Sequence, residues 1–138
     1  MYNYREMVID DYEPVIALWR RIEGLALSEA DSRESIQYYL NRNSGLSFVC
    51  EHNDRIVGTV LCGHDGRRGY IYHAAVDPEH RGHRIGTGLV ARSLKQLRKT
   101  GIMKCHIMVI ADNELGRQFW GQSGWMKRDG ILLYSADV

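Results

Sequence analysis

Between His80 and Leu89 the chain reads HRGHRIGTGL, with three glycines, two arginines and two histidines in ten residues. Glycines let a backbone curl and let an anion reach N–H groups with no Cβ in the way. Arginines bring a fork of donors that matches phosphate oxygens. An apolar-periodic segment follows at once, so the stretch lies where a helix start leaves N–H groups unpaired and presents the positive end of its macrodipole. The chemistry this suits is the binding of a pyrophosphate-sized anion, with Arg81, Arg84 and His83 adding charge.

Other phosphate loops fit less well. A Walker loop ends in Gly-Lys-Ser/Thr, which the chain lacks. GTGLVA, Gly86 to Ala91, formally matches the dinucleotide pattern G-x-G-x-x-A, and Asp112 follows near the end of the next strand. That pattern needs its first glycine at the strand end, whereas nine residues separate Val76 from Gly86. A dinucleotide-binding protein therefore stays as a lesser alternative. His80 and His83 have no carboxylate pair beside them, so no metal site is expected.

The elements that must hold this loop follow from periodicity. YREMVI reads as a first strand, and Asp10 or Asp11 can cap a helix that buries Val15, Ile16, Leu18, Trp19 and Ile22. A second helix spans about Ser32 to Asn41. LSFVCEH, RIVGTVLCG and YIYHAAV form an antiparallel meander with turns at Asn53-Asp54 and HDGRRG. A helix from about Gly86 to Lys99 turns Leu89, Val90, Leu94 and Leu97 inward and stops at Gly101, and KCHIMVIA follows as a strand. Strand, helix and strand at that spacing form one βαβ unit, so the strands ending at Val76 and Ala111 run parallel. NELGRQFWGQSGW is a weaker helix and ILLYSA a final strand. The class is α+β around a mixed sheet.

With 138 residues the chain is read as a single domain over 1–138. Its net charge of +1 speaks against nucleic acid, and Arg92, Lys95, Arg98 and Lys99 are read as a solvated helix face. No apolar run is long enough to cross a membrane and no signal-peptide core opens the chain, so a cytoplasmic setting is expected. Cys50, Cys62 and Cys105 are scattered and read as small apolar strand residues.

AAVDPEHRGHRIGTGLV resembles the acyl-CoA pyrophosphate loop of the GNAT acyltransferase superfamily, single-domain bacterial type, whose pattern is Arg/Gln-x-x-Gly-x-Gly/Ala after a strand ending Ala-Val-x-Pro. Arg81 and Gly86 fit, and the pattern's first glycine falls at Arg84. ADNELGRQFWGQSGW resembles the family's Asn-x-x-x-x-x-Phe-Tyr-x-x-x-Gly-Phe segment through Asn113, Phe119, Gly124 and Trp125. The element order is also the family's.

The resemblance implies a twisted mixed sheet of six to seven strands with about four helices. It also implies direct transfer, in a ternary complex, of an acetyl group from acetyl-CoA to a primary amine on a small molecule or peptide. Pantetheine would lie in a splay between the strands ending at Val76 and Ala111. The backbone of Ala74, Ala75 and Val76 would face the thioester. Arg81, Gly82, His83, Arg84, Ile85, Gly86, Thr87 and Gly88 would hold the pyrophosphate, and Asn113 and Phe119 would contact the cofactor further along. The expected partners are acetyl-CoA and an amine, and a homodimer is left open.

The chain departs from the family where protons move. Trp120 stands where many members have the tyrosine that protonates the thiolate, and Met108 replaces a carboxylate that some members use. Tyr70 and Tyr72 occupy the strand positions where others carry a Glu or His, and are expected to line the acceptor site and order water. Tyr134 is the expected substitute acid. Strand alternation puts His73 on the opposite face, so it serves as base only if a bulge turns it. Glu23, Glu29, Asp31 and Glu34, between the first two helices, suit a cationic acceptor. The alternative to an enzyme is an acyl-CoA-binding sensor or partner module with little turnover.

Overall fold

Asn53 and Asp54 both take positive φ, 51° and 62°, the backbone that matches a two-residue hairpin to strand twist. They join β2 (Phe48–His52) to β3 (Arg55–His64), which runs antiparallel to β4 (Gly69–Val76). β1 (Asn3–Glu6) pairs antiparallel with β2, and β5 (Cys105–Ile107) lies parallel to β4. The result is a mixed five-stranded sheet in the order β1-β2-β3-β4-β5. The computed structural model describes Met1–Val138 and divides into two compact units, Met1–Met108 and Val109–Val138.

Three helices belong to the first unit: α1 (Tyr12–Arg21), α2 (Arg33–Arg42) and α3 (Ile85–Lys99). They cover both faces of the sheet. A Cβ on Gly58 would meet Ile85 and Leu89 of α3, while one on Gly63 would meet Tyr39 and Asn43 of α2. Five residues apart on one strand, those glycines face opposite ways. Met7, Val15, Ile16, Trp19, Ile36, Val49 and Leu61 form the core on the α1 and α2 side, and Ile85, Leu89, Val90 and Leu97 bury α3.

Three expectations need correction. The sheet has five strands, not six or seven: residues 131–138 form no strand, and Ile131, Leu132 and Leu133 are exposed. Apolar β-prone residues favour a strand only where a neighbour supplies a pleated surface to pack on. The strand expected to reach Ala111 ends at Ile107. At the head of α1, neither Asp10 nor Asp11 makes a side-chain cap. Asp11 instead accepts the Val8 N–H and the fork of Arg5.

The second unit carries α4 (Glu114–Gln122), capped by Asn113, whose Oδ1 accepts the Gly116 N–H at 3.0 Å. Trp120 meets Phe119 and Trp125 edge-on, with ring centroids at 4.9 and 4.7 Å.

Candidate active site

β4 contains an extra residue. Thr59 pairs with Ala75 and Leu61 with Tyr72, so one residue of β3 spans two of β4, and His73 takes a φ of 46°. This β-bulge turns His73 onto the α1 side. There its ring lies 4.6 Å, centroid to centroid, from Trp19, and its Nε2 is 2.7 Å from Asp31 Oδ1. The backbone of the bulge is tied as well. Thr59 Oγ1 donates to the His73 carbonyl at 3.0 Å and accepts from Trp19 Nε1 at 2.8 Å. Sequence reasoning missed Trp19 and Thr59 in this cluster and had Asp31 only as one of four acidic residues.

Pairing between β4 and β5 stops at Ile71 opposite Ile107, while β4 continues to Val76. Beyond Ile71 the β5-facing edge of β4 therefore has no strand beside it in this unit, which leaves its polar backbone groups open to an extended ligand. Tyr70 and Tyr72 precede and begin this free stretch. Tyr70 stacks obliquely on His106 at 5.7 Å, and Tyr72 meets Tyr39 edge-on at 6.4 Å. Burial, with Tyr70 beside it, raises the Tyr72 phenol above its ordinary value, so at neutral pH it stays protonated.

The chain leaves β4 through Asp77, whose Oδ1 accepts the Glu79 N–H and whose Oδ2 meets Arg21 at 3.3 Å. Burial alone would raise this carboxyl, but Glu79 and Arg21 together hold it below the usual carboxylate range. Tyr2 Oη meets His80 Nδ1 at 3.0 Å, and the same ring lies 5.2 Å from that of His83. Arg81, Gly82, His83 and Arg84 are exposed. No side chain caps α3, so the N–H groups of its first turn remain available to an anion.

Other sequence-selected residues divide by role. Ala74 is exposed and Ala75 buried. Ile85 packs its side chain into the core, which leaves only its N–H for a ligand. Gly88 faces Tyr4. Tyr134 is 86% exposed in a segment without strand pairing. No group of three His, Cys, Asp or Glu side chains is arranged to hold a metal ion, and no helix is long and apolar enough to cross a membrane.

Known proteins share this fold and much of this sequence. An acetyltransferase of Pectobacterium atrosepticum is 41% identical over 105 residues, covering 76% of this chain and 74% of its own. The PaiA N-acetyltransferase of Thermoplasma acidophilum, solved with coenzyme A, shares the fold with a TM-score of 0.82 at 19% identity, covering 95% of this chain and 93% of its own. An aminoglycoside acetyltransferase from a soil metagenomic sample, solved with sisomicin, has a TM-score of 0.77 at 16% identity, covering 99% and 96%. The profile of the acetyltransferase (GNAT) family matches residues 12–125, and the chain belongs to that family.

Proposed function

We propose that the chain is an acetyl-CoA-dependent N-acetyltransferase that moves the acetyl group directly to a primary amine. The observation that carries this reading is β4 itself: its edge comes free of β5 after Ile71, and beyond Val76 the chain leads through the Asp77–His80 turn and the exposed Arg81–Arg84 loop to the uncapped start of α3. A long ligand with an amide-bearing arm and a pyrophosphate fits that sequence of free backbone edge and helix start. Arg81 and Arg84 supply charge, Gly82, Gly86 and Thr87 leave backbone accessible, and the family resemblance adds Asn113 and Phe119.

The amine must lose a proton before it can attack, and the thiolate must gain one. Tyr70 and Tyr72 order water on the acceptor side. Trp120 has no acidic proton to give. A thiol of ordinary pKa, about 8.5, leaves as a thiolate without much help, so the reading does not depend on Tyr134 as acid. The relatives solved with coenzyme A and with sisomicin support a coenzyme A donor and a cationic acceptor, as does the acidity of the segment containing Glu23, Glu29 and Glu34.

The test is release of free thiol from acetyl-CoA across polyamines, amino acids, aminoglycosides and N-terminal peptides. Acceptor-dependent release is expected from at least one. Tight acetyl-CoA binding with no release from any of them would favour the binding-module alternative, for which Trp120 is the motive. Joint Arg81→Ala and Gly86→Val substitution should abolish acetyl-CoA binding, and unchanged affinity would overturn the loop assignment.

A further inference from the structure

We infer that His73 is the group that takes the proton from the acceptor amine and that Asp31 is the residue that positions it, an inference that rests on the acetyltransferase reading. A carboxylate only accepts hydrogen bonds, so in the neutral imidazole the 2.7 Å contact puts the proton on Nε2 and leaves the lone pair on Nδ1. Asp31 is fixed in its turn. Its Oδ2 accepts the Ser28 N–H at 3.0 Å, and its carbonyl accepts the Tyr12 hydroxyl at 2.6 Å. The carboxylate also lines an open cleft of about 340 Å³ between α1 and the short turn Glu29–Asp31, with Tyr12, Leu27 and Ser28 among its walls. Asp31 thus borders both that cleft, where Arg20 is the cation on the wall, and His73 of the strand whose edge is free.

The strain points the same way. A non-glycine residue at positive φ costs on the order of 1 kcal/mol and persists where the surroundings over-determine it. Here Thr59 and Trp19 hold the backbone while Asp31 and the Trp19 ring hold the side chain. The Tyr72 phenol does not compete, because burial pushes it further from acting as a base. Facing His73, the turn presents Asp31, α1 presents Trp19 and β3 presents Thr59; of these only Asp31 is charged.

In the step, the ammonium gives one proton to Nδ1, directly or through one water. The freed lone pair forms the C–N bond while the C–S bond of acetyl-CoA breaks. The thiolate takes the second proton from nitrogen, and the imidazolium returns the first to solvent.

The experiment measures kcat and KM for thiol release with the best acceptor over about pH 5–8, where imidazoles change charge. His73→Asn is the variant of choice because asparagine tolerates positive φ and keeps the bulge. It should lower kcat by about 10²-fold or more and remove the acid limb of the profile, with acetyl-CoA affinity within about twofold of wild type. Asp31→Asn should lower kcat by at least ~10-fold and shift the limb, because an amide holds either tautomer. If His73→Asn does not fold, the Asp31→Asn profile decides. An active wild type whose profile survives both substitutions overturns the assignment of His73 alone. A wild type silent with every acceptor overturns the parent reading and this one with it.

Discussion

Gly88 of α3 lies directly against Tyr4 of β1: a Cβ at 88 would sit 2.9 Å from the Tyr4 hydroxyl oxygen and 3.0 Å from Cζ. Arg92, one turn further along, places its guanidinium carbon 3.9 Å from the centre of the same ring. The glycine that sequence reasoning assigned to phosphate approach therefore has a packing duty of its own. Gly88→Ala should lower stability by no more than about 1 kcal/mol, because the overpacking cost is offset by about 1 kcal/mol of helix propensity and by the freedom of the outer end of the Tyr4 ring to shift, read as a reduced urea midpoint at unchanged slope. Combining it with Tyr4→Ala should recover part of that loss, because the two sites share one contact.

Arg84 stands where the family pattern has glycine, and its φ of 59° is the conformation for which glycine is suited. Arg84→Ala keeps the strain and removes the charge, whereas Arg84→Gly removes both. The glycine variant should be the more stable of the two by about 1 kcal/mol, as thermal or urea unfolding would show. If the guanidinium meets phosphate, both variants lose acetyl-CoA affinity equally in calorimetry.

The position of the loop was legible because helix periodicity after Ile85, the turn at Asn53-Asp54 and the βαβ spacing are local signals. The bulge was not. GYIYHAAV has no glycine or proline where the extra residue sits, and His73 is forced to positive φ by Thr59 and Asp31, which lie 14 and 42 residues away in the chain. Asp31 did leave a trace, since Ser28-Glu29-Ala30-Asp31 has capping-box spacing and forms that box. ILLYSA failed in the other direction. Its residues have strand propensity, but propensity records fit to a neighbour and cannot supply one.

Tyr39 offers a test of polar burial. Its hydroxyl is buried with no hydrogen-bond partner, above Gly63 and beside the Tyr72 ring. Burial also drives the phenol strongly upward, away from ionisation. Removing an unsatisfied buried group while keeping the ring's shape should be neutral or stabilising, by up to about 1 kcal/mol. Tyr39→Phe should accordingly unfold at the same or higher urea concentration than wild type, and a clear loss of stability would show that the hydroxyl has a partner in solution.

Arg5 ties three segments together: its guanidinium meets Asp11 at 2.7 and 2.9 Å and Glu51 at 3.0 and 3.2 Å. For Asp11, burial pushes the carboxyl up, but Arg5 and the Val8 N–H outweigh it and leave the group below its ordinary value. Glu51 is lowered first by the Arg5 hydrogen bond. Both carboxyls are thus lower in the folded chain than in the unfolded one, so their contribution is complete above the unfolded value, about 4. It disappears as pH falls through the folded value. Because the Arg5 side chain is 35% exposed, solvent screening limits the interaction to about 1 kcal/mol. Arg5→Gln should therefore cost about that much at neutral pH and less at about pH 3, below the unfolded value, where wild type is already losing it. Urea unfolding of both proteins at the two pH values gives the answer, and an equal difference at each would show that Arg5 acts through packing instead of charge.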